Sequence, residues 1–494
     1  MRVELTGGDP ASAQAELLAF PLVAPPSLSL QARRVDELAG GVLSRLIASG
    51  EATGKPGAVC LQHVGDGLAA ERIALVGVGP VAELDADALR TAAAAAARAA
   101  KPFGGTVAWA VDEELPLPPA EQARAVIEGA LLGGHEAGRW KTTEAPVGVE
   151  RLLLCAAGDD LHALAGRTAL VATWTNRARE LVDAPPNEVT PAGLAARAVA
   201  LLASLPVDVE TLEPPGLEEL GMGGLLSVGQ GSDAGPRLIV LRYRPAGAAS
   251  GRRLGLVGKG VTFDSGGLFL KQQADIVRQK ADMAGAAAVV AAIGAIAELG
   301  LPLDVLGVVP AVENMLGGSS FRPGDILRTA AGLTVEVTNP DAEGRLILAD
   351  ALWYAVRDGV THLVDLATLT GAMRSAMGDL YGGVFANDEA WRGRVVAAGD
   401  ASGDHAWPWP MHSRYRHLLE SSLADLRNTA GRSFGYPVIA ASFLERFAGE
   451  QPWAHVDILS TAFLDEDRDY LARGATGYGV RMLVELASGL AAST

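Results

Sequence analysis

The sequence predicts an α/β protein of two domains, a smaller N-terminal α/β domain and a larger C-terminal α/β domain with a mixed central sheet flanked by helices. Composition supports this prediction, because the 494 residues are 49% hydrophobic but 5% aromatic and include 59 glycines, which suits close packing of small side chains. The pattern supports it as well, since short continuous apolar runs alternate with Ala-rich, helix-favouring stretches. A chain of this length can form more than one hydrophobic core.

The N-terminal domain is predicted over residues 1–165. Its RIALVGVGP segment (72–80) has the continuous apolar character of a strand, and the Ala-rich stretch 86–101 favours a helix. The Gly-x-Gly at the end of that strand lacks the third glycine of a dinucleotide-binding loop, so it predicts a turn. We find no chemical motif in this domain.

A linker helix and a Pro-rich junction are predicted at 166–190, followed by the C-terminal domain at 191–494. The helix ends at the PPNEVTP motif, because proline lacks an amide donor and disfavours helix at the residue before it. Thr190 and Pro191 then suit the N-cap and the first position of the next helix.

Strand-like apolar runs recur in the C-terminal domain with helices between them. These runs are 237–244, 253–260, 303–311, 333–339, 362–369 and 455–459. Continuous apolar strands between long helices indicate a sheet covered on both faces, and such sheets bind ligands beyond the carboxyl ends of their strands. The polar residues that carry chemistry follow these strand ends.

Charge and cysteine content narrow the class of function. A net charge of −17 repels phosphate backbones and anionic lipids, so neither a nucleic acid nor a membrane surface is expected as a partner. Two cysteines without paired spacing predict neither a disulfide framework nor a thiolate zinc site. The N-terminal MRVELTGGDP has no signal-peptide pattern, and the apolar stretch 283–298 predicts a buried helix rather than a membrane span. We therefore expect a cytoplasmic protein.

Two segments of the C-terminal domain carry a group of acidic residues. The first segment, 256–290, places Asp264 in a Gly-rich loop after a strand and Asp282 at the start of an apolar helix. The second, 335–356, places Asp341 and Glu343 two positions apart in a loop, a spacing that lets both side chains face one point. If the segments are neighbouring strand ends, four carboxylates meet, and two divalent cations balance their charge. Oxygen ligands favour Zn²⁺, Mn²⁺ or Mg²⁺.

Each of these residues also has a purely structural interpretation. Asp282 alone suits the N-cap of the helix that follows it. Asp341 and Glu343 suit the acidic first turn of a helix, where they favour its dipole. Lys259 and Lys271, taken singly, are typical of solvated surface lysines. Only the joint placement of all of them at strand ends favours a functional site.

Several motifs together resemble the signature of the leucyl aminopeptidase (M17 peptidase) family. The family pattern N-T-D-A-E-G-R-L stands here as NPDAEGRL (339–346), and VGKGVTFDSGG followed by ADMAGAAAV resembles its lysine/aspartate block. Further similar stretches are ENM and RPGDIL (313–327), DLATLTGA (365–372), WPWP with ADLRN (407–428), and PPNEVTP. The resemblance covers most of 170–494.

The resemblance implies a metalloaminopeptidase, a hydrolase that releases N-terminal residues by means of a water molecule activated between two metal ions. Lys259, Asp264 and Asp282 would hold the more loosely bound ion, with Lys259 as a neutral amine. Asp264 and Glu343 would bridge both ions, and Asp341 would complete the tighter site. Mn²⁺ or Zn²⁺ is expected, with Mg²⁺ as an alternative.

The resemblance also implies roles outside the metal ligands. Lys271 would polarise the substrate carbonyl, and Arg345 would hold a bicarbonate-like anion that acts as general base. The implied substrate-binding residues are Gln279, Thr368, Leu369, Gly371, Leu459 and Ala462. The substrates would be peptides with a free N-terminus, and six chains would assemble into a homohexamer.

The chain departs from the family pattern at two places. Pro340 replaces the usual Thr, which removes an amide donor and a hydroxyl beside two ligands. Arg278 and Gln279 stand where many members carry Met-rich apolar residues, and Leu459 and Ala462 stand where pocket-lining residues are expected. A preference for leucine at the N-terminus of the substrate therefore does not follow from the family resemblance.

Two alternatives belong to other classes of function. Gly431 to Gly435 fits the GxSxG pattern of a serine hydrolase with Ser433 as nucleophile, but the preceding residues contain no convincing strand, which that motif requires. A non-catalytic scaffold is the other alternative. Retention of every implied ligand type, together with Lys271 and Arg345, disfavours it.

Overall fold

A computed structural model describes residues 1–65, 67–137, 140–142, 148–248, 251–432 and 434–492. The chain divides into two compact units: unit 1 is Met1–Asn176 with Asp465–Arg473, and unit 2 is Arg177–Leu464 with Gly474–Thr494. The division falls inside the long helix Asp159–Asp183, which also contains the 165/166 boundary predicted from sequence.

Unit 1 is an α/β domain built on one sheet. Its strands are β1 (Arg2–Thr6), β2 (Leu17–Ala24), β3 (Val59–His63), β4 (Arg72–Pro80), β5 (Gly105–Ala110) and β6 (Val149–Cys155). Its helices are α1 (Leu30–Leu38), α2 (Val42–Ala48), α3 (Ala86–Ala100), α4 (Pro119–Gly133) and the first part of α5 (Asp159–Asp183), with 3₁₀ turns at Pro10–Ser12 and Val81–Glu83. The order is β1-β6-β5-β2-β4-β3, with β3 antiparallel to β4 and the other pairs parallel.

The local elements predicted in this part of the chain are confirmed. β4 has the predicted bounds, and α3 begins after an N-cap at Asp85, whose side chain accepts a hydrogen bond from Ala88 N at 2.9 Å. The linker helix α5 begins at Asp159, before residue 166, at which the linker segment is predicted to begin. It ends before the prolines, and Thr190 caps the next helix by accepting from Gly193 N at 3.1 Å, with Pro191 in its first turn.

Unit 2 contains the larger sheet and most of the remaining helices. Its strands are β7 (Val207–Leu212), β8 (Arg237–Tyr243), β9 (Arg253–Gly258), β10 (Gly260–Asp264), β11 (Asp304–Asn314), β12 (Ile326–Arg328), β13 (Thr334–Glu336), β14 (His362–Ala367), β15 (Gly382–Ala386), β16 (Ala406–Pro408), β17 (Leu426–Arg427), β18 (Trp453–Asp457), β19 (Phe463–Leu464) and β20 (Gly474–Ala475). Its helices are α6 (Pro191–Leu202), α7 (Pro214–Glu219), α8 (Gly223–Gly229), α9 (Gln273–Ile276), α10 (Ala284–Glu298), α11 (Gly344–Arg357), α12 (Gly371–Met377), α13 (Glu389–Ser402), α14 (Tyr436–Leu444) and α15 (Val480–Ala492), with 3₁₀ helices at Val277–Ala281, Ser413–Leu419 and Glu445–Phe447.

The large sheet has the order β16-β15-β18-β14-β9-β11-β8-β7, and β10 pairs with the second half of β11. The central strands β18, β14, β9 and β11 are parallel, while β8 is antiparallel to β11 and β15 is antiparallel to β18. Strands β12, β13 and β17 form a separate small sheet. The predicted mixed sheet is therefore confirmed, and the carboxyl ends of its parallel strands meet at one edge.

Among the described residues, the helical stretch Val277–Glu298 is long and apolar enough to cross a membrane, but 94% of its most apolar window is buried within the protein. Every residue of α10 from Ala284 to Ala297 is buried. This stretch therefore has the burial of a core helix, as the sequence predicted for 283–298.

Candidate metal centre

The first ligand segment lies at the carboxyl edge of the large sheet. Lys259 separates β9 from β10, and Asp264 is the last residue of β10. Asp282 follows the 3₁₀ helix Val277–Ala281, which precedes α10. Lys259, Asp264 and Asp282 are all buried, with 2 to 7% of their surface exposed. Because β9 and β10 are continuous apolar strands, their ends carry these polar groups to one side of the sheet.

The second ligand segment arrives from a different element. Asp341 and Glu343 follow β13, which belongs to the small sheet, and Glu343 immediately precedes α11. The expectation that the two segments are neighbouring strand ends of one sheet is therefore wrong. The loop before α11 brings Asp341 and Glu343 to Asp264 instead, and one ligand oxygen from each of the three residues lies within 4.8 Å of the other two.

Two lysines hold these carboxylates together. Lys259 Nζ lies 2.8 Å from Asp282 Oδ2 and 2.9 Å from Glu343 Oε1. Lys271 Nζ lies 2.8 Å from Asp264 Oδ2 and 2.6 Å from Asp341 Oδ1. We call these six residues the ligand cluster: Lys259, Asp264, Lys271, Asp282, Asp341 and Glu343. Four carboxylates and two ammonium groups leave it with an excess of negative charge.

The purely structural interpretations of Asp282, Asp341 and Lys259 do not match the fold. The residue that precedes α10 as its N-cap is Met283, while the Asp282 side chain accepts a hydrogen bond from Thr368 Oγ1 at 2.6 Å. Helix α11 begins only at Gly344, so Asp341 lies outside its first turn. Lys259 is buried rather than solvated, and its Nζ also donates to Thr368 O at 2.9 Å.

Burial and crowding shift the acid–base behaviour of the carboxyl groups. Burial raises the pKa of Asp282 to about 8, with Asp264 and Glu343 adding to the rise and Lys259 opposing it. Burial likewise raises the pKa of Asp341 to about 6, helped by Asp264 and Glu343. The pKa of Asp264 is raised by burial and by Glu343. Three of the four carboxyl groups are thus costly to ionise with protein groups alone.

The pKa values of the other three charged groups of the cluster shift so that the ionised form is favoured. Burial opposes ionisation of Glu343, but Lys259 and Lys271 outweigh it and lower the pKa of that carboxyl group. Burial lowers the pKa of Lys259, and the attraction of Asp282, Glu343 and Asp264 more than reverses this. The pKa of Lys271 is raised in the same way, chiefly by Asp264.

The donor set fits divalent cations. Glu343 is 1% exposed, and its Oε2 has no hydrogen-bond partner among the described residues, so a strong acceptor is buried without a donor there. Such an atom is expensive to bury unless a ligand satisfies it. Carboxylate oxygens packed this closely match the ligand preference of Mn²⁺, Mg²⁺ and Zn²⁺, and a cation removes the repulsion that raises the pKa values.

Arg345 lies in the first turn of α11 with 2% of its surface exposed. Its Nη1 donates to Asn428 O at 2.7 Å, and the centre of the Tyr436 ring lies 5.6 Å from its guanidinium carbon. Within the part of the chain that the structure describes, its buried Nε has no hydrogen-bond partner. Burial lowers the pKa of Arg345, although Tyr436 and Glu343 oppose that effect. A buried guanidinium with an unpartnered N–H is a group that can bind an anion.

Asn314 supports the ligand-bearing loops, a role that the sequence did not reveal. It ends β11 beside Asp264, and its Nδ2 donates to Asp264 Oδ1 at 2.8 Å and to Pro340 O at 3.1 Å. It thereby ties the two ligand segments to each other. The ENM motif contained the only sequence signal for this position.

Asn428 supports the loop from 338 to 342 in a similar way. Its Oδ1 accepts from Thr338 N at 2.7 Å and Asn339 N at 3.2 Å, while its Nδ2 donates to Asn339 O at 2.6 Å and more weakly to Ala342 O at 3.4 Å. Supporting residues of this kind orient the groups that bind a metal. The ADLRN stretch was the sequence signal for it, without an indication of its role.

Two glycines let the chain approach the ligand cluster closely. Gly266 has a φ of +87°, and a Cβ there would lie 2.4 Å from Phe269 O and 2.9 Å from Asp341 Oδ1. A Cβ on Gly344 would lie 2.7 Å from Lys259 Nζ. Gly266 therefore serves the turn as well as the close approach, and Gly344 serves the close approach alone.

The ligand cluster opens into a cavity of about 650 Å³. The cavity is lined by all thirteen residues that the sequence singled out, namely Lys259, Asp264, Lys271, Gln279, Asp282, Asp341, Glu343, Arg345, Thr368, Leu369, Gly371, Leu459 and Ala462. It is also lined by residues that sequence reasoning did not assign to the site, among them Phe269, Leu270, Thr370, Arg374, Tyr436 and Phe463. The structure thus brings every predicted site residue to one place.

The 3₁₀ helix Val277–Ala281 forms a polar wall of this cavity. Gln279 and Arg278 line the cavity, and the Arg278 guanidinium carbon lies 5.7 Å from the centre of the Phe463 ring. Lys280 belongs to the same 3₁₀ helix, and its Nζ donates to Asp183 O at 2.6 Å, which anchors the helix. The departure from Met-rich residues therefore places polar groups in the cavity.

Ser433, the nucleophile of the serine hydrolase alternative, lies outside the described residues. In the described part of that segment, β17 ends at Arg427 and residues 428–432 contain no strand. A nucleophile elbow requires a strand that runs directly into the turn. The surroundings of the motif therefore give that alternative no support.

Comparison with known proteins places this geometry in a family. Residues 176–484 match the family model described as "Cytosol aminopeptidase family, catalytic domain", and residues 19–144 match its N-terminal domain. The chain is 45% identical over 443 residues to a probable cytosol aminopeptidase of Solibacter usitatus, covering 90% of this chain and 92% of the relative. It is 42% identical over 493 residues to a probable cytosol aminopeptidase of Roseiflexus castenholzii, covering 98% of each.

Solved structures agree with the sequence relatives. The bottromycin maturation enzyme BotP in complex with Mn is 36% identical, with a TM-score of 0.85 over 96% of this chain and 99% of that one. A mutant of tomato leucine aminopeptidase is 33% identical, with a TM-score of 0.88 over 99% of this chain and 96% of that one. Both the predicted fold class and the predicted family are confirmed. The chain belongs to the cytosol aminopeptidase family.

Proposed function

We propose that this chain is a metal-dependent aminopeptidase that releases single residues from the N-termini of peptides with two divalent cations per chain. The observation that carries the proposal is the meeting of four carboxylates in one cavity, three of them buried and Asp341 half-buried, with Glu343 Oε2 lacking a hydrogen-bond partner among the described residues. Membership of the cytosol aminopeptidase family supports the same class of hydrolase.

We assign the cation ligands as the family resemblance implies. Asp282, Lys259 and Asp264 would hold the looser ion, Asp264 and Glu343 would contribute ligands to both ions, and Asp341 would complete the tighter site. Mn²⁺ or Zn²⁺ is the expected metal, with Mg²⁺ as an alternative. Divalent cations bound there supply Lewis acidity and lower the pKa of a bound water molecule.

Lys259 can serve as a ligand only as a neutral amine. Protein carboxylates raise its pKa, since Asp282 and Glu343 lie within 3 Å of its Nζ. Cations that neutralise those two carboxylates also repel an ammonium group, so they favour loss of its proton. The buried position of Lys259 adds to that preference, because burial by itself lowers its pKa.

Lys271 and Arg345 have roles in binding the substrate carbonyl and in proton transfer, and neither is assigned as a cation ligand. The raised pKa of Lys271 keeps it protonated, so its Nζ can donate to the oxygen of the scissile carbonyl and to the oxyanion that develops there. Arg345 holds a bicarbonate-like anion through its free Nε–H and so positions a general base.

The remaining cavity residues bind the peptide. We assign this role to Gln279, Thr368, Leu369, Gly371, Leu459 and Ala462. A free α-amine fits next to the carboxylate of Asp282, where an acylated nitrogen lacks both the basicity and the space. Substrates are therefore peptides with an unblocked N-terminus, and the polar Gln279 favours a first residue with a polar side chain over leucine.

The cellular setting follows the same reasoning. We propose a cytoplasmic enzyme, in keeping with the family name, that assembles as a homohexamer and needs neither a nucleic acid nor a membrane as partner. Light scattering of the purified protein would test the assembly, with a mass six times that of the chain expected. A monomer with full activity would contradict it.

The first test is hydrolysis by protein stripped with a chelator and then resupplied with Mn²⁺ or Zn²⁺. The substrates are aminoacyl amides and dipeptides with free N-termini, and a parallel set carries acetylated N-termini. We expect cleavage of the unblocked set only, and only after a metal is returned.

Cleavage that survives the chelator, or equal cleavage of the acetylated set, would contradict the proposal. Sensitivity to a serine-directed reagent would instead support the hydrolase alternative. The fully loaded protein and a Glu343→Gln variant serve as positive and negative controls.

A further inference from the structure

The stretch from Thr368 to Gly371 leaves the carboxyl end of β14 and lines the cavity. Its first residue is fixed by the ligand cluster, because Thr368 O accepts from Lys259 Nζ at 2.9 Å and Thr368 Oγ1 donates to Asp282 Oδ1 at 2.6 Å. The next two residues, Leu369 and Thr370, are held by a group outside that cluster. We call residues 368–371 the β14 loop.

That group is the carboxylate of Asp457, the last residue of β18. Asp457 is 0% exposed and lies opposite Ala367 in the β14–β18 pair. Its Oδ1 accepts from Leu369 N at 3.2 Å and, at the limit of hydrogen-bond distance, from Thr370 N at 3.5 Å. Its Oδ2 accepts from Thr370 Oγ1 at 2.6 Å. One buried side chain therefore holds two successive residues of the loop.

The same carboxylate reaches a second wall of the cavity. Asp457 Oδ1 also accepts from Leu459 N at 3.3 Å, and Leu459 lines the cavity. Among the described residues, that N–H has no other acceptor. Burial raises the pKa of Asp457, while the neighbouring His455 and the Thr370 hydroxyl oppose that rise. His455 Nδ1 in turn lies 2.6 Å from Asp365 Oδ1.

The direction of these hydrogen bonds decides where the carbonyl groups point. In a trans peptide the N–H of one residue and the C=O of the residue before it point in opposite directions. With Leu369 N–H aimed at Asp457, Thr368 C=O points away from Asp457, and it does contact Lys259. With Thr370 N–H aimed at Asp457, Leu369 C=O must also point away from it. No protein group among the described residues donates to that Leu369 carbonyl.

We infer that Asp457 is a positioning residue that turns the Leu369 carbonyl toward the substrate. The carbonyl oxygen of Leu369 then accepts a hydrogen bond from a backbone N–H of the bound peptide. This inference rests on the proposed aminopeptidase function. Asp457 touches neither the substrate nor the ligand cluster in this arrangement. Its effect passes through the β14 loop alone.

The test compares paired substrates that differ in one N–H. One member is an unblocked aminoacyl amide or dipeptide, and the other has the scissile amide replaced by an ester, which offers no N–H. Each is assayed with wild type, Asp457→Ala, Asp457→Asn and the control Asp404→Ala. Asp404 is a buried carboxylate of unit 2 that accepts from Gly479 N and Met482 N and does not line the cavity.

We expect Asp457→Ala to raise KM for the amide by roughly three- to tenfold, the value of one hydrogen bond, with a smaller change in kcat and little change in KM for the ester. Asp457→Asn should remove most of this change, because its amide oxygen can accept from the three backbone N–H groups of Leu369, Thr370 and Leu459 while its nitrogen donates to Thr370 Oγ1. Asp404→Ala should leave the ratio of amide to ester KM as in wild type, even where it lowers stability.

An equal effect of Asp457→Ala on amide and ester, or none on either, would overturn the inference. If that variant does not fold, Thr370→Val against Thr370→Ser tests the same hydrogen bond to Asp457 Oδ2, with the selective rise in amide KM expected for Val only. Failure of the proposed function is distinguishable, since wild type would then cleave neither substrate.

Discussion

Glu343 and Asp350 lie seven residues apart, at the start and in the middle of α11, and both are buried with at most 1% of their surface exposed. Asp350 Oδ2 accepts from Leu225 N at 2.9 Å and its Oδ1 from Ala330 N at 2.8 Å, so backbone donors satisfy the whole carboxylate. Glu343 has Lys259 near one oxygen and, among the residues that the structure describes, no hydrogen-bond donor at the other.

The difference separates a structural carboxylate from a functional one. Asp350 caps the start of α8 and anchors the loop at Ala330, and the fold uses both of its oxygens. Glu343 and its neighbours are crowded against one another, and the fold leaves part of their capacity unused. Buried charge alone therefore does not mark a site. A site is marked instead by buried acceptors that lack a donor and by carboxylates that repel one another, since an added cation relieves both.

The largest expected effect breaks the cluster without harming the fold. Asp282→Asn should lower kcat/KM by more than the roughly 10- to 100-fold typical of residues that only support a metal ligand. In chelator at pH 7 its stability should stay within about 1 kcal/mol of wild type, because a carboxyl group with a pKa of about 8 is largely neutral there, as asparagine is. Kinetics and denaturation in chelator measure these two quantities.

Asp350→Ala should give the opposite result. It leaves the N–H groups of Leu225 and Ala330 without an acceptor, which lowers the free energy of unfolding by about 1–3 kcal/mol for each buried donor. The metal content of the folded protein should stay as in wild type. Denaturant unfolding and metal analysis test this. Loss of metal without loss of stability would erase the distinction between the two carboxylates.

The pH dependence of stability sharpens the comparison further. Burial raises the pKa of Asp350 to about 7, against the opposing hydrogen bonds from Ala330, Leu225 and Gly224. Folding therefore retains a proton that the unfolded chain has lost, so this contribution is fully present below about pH 4 and disappears as pH rises through 7. The stability of wild type relative to Asp350→Asn should fall by up to about 1.4 kcal/mol per pH unit between pH 5 and 7. A flat difference across that range would contradict the shift.

A smaller effect concerns the polar wall of the cavity. Gln279→Met should shift the ratio of kcat/KM for Leu against Gln at the substrate N-terminus by about tenfold toward Leu, because it exchanges a hydrogen-bonding group for an apolar one. Gln273→Met makes the same exchange at an exposed position that does not line the cavity, and it should leave the ratio unchanged. An unchanged ratio for Gln279→Met would show that this side chain serves the fold.

The smallest effect is expected at Pro340. Its carbonyl accepts from Asn314 Nδ2 at 3.1 Å, and threonine can keep that contact because the carbonyl is retained. Pro340→Thr should therefore leave kcat/KM within about threefold of wild type and lower stability by about 0.4–1 kcal/mol through the greater freedom of the unfolded chain. Thermal unfolding and the amide assay measure both. A large gain in activity would show that Pro340 distorts the neighbouring ligands Asp341 and Glu343.

The sequence by itself determined the fold class and most strand and helix positions. These follow from local properties: apolar runs predict buried strands such as β4 and β9, and the spacing of Asp341 and Glu343 lets both face one point. The family resemblance, rather than a local property, indicated most of the thirteen predicted residues that line the cavity. Thr190 and Pro191 likewise predicted a helix start from local chemistry alone, because capping involves residues within a single turn.

Only the tertiary structure decided how those residues meet and which others support them. The small sheet that precedes Asp341 and Glu343 depends on the pairing of β13 with the distant β17. The hydrogen bonds between Asn314 and Pro340, between Thr338 and Asn428, and between Leu369 and Asp457 join positions 26 to 90 residues apart. Hydrogen bonds across such separations depend on strand order and loop path, which no local pattern encodes. For the same reason Asp282 resembled an N-cap in sequence, whereas in the fold its carboxylate contacts Thr368 and Lys259.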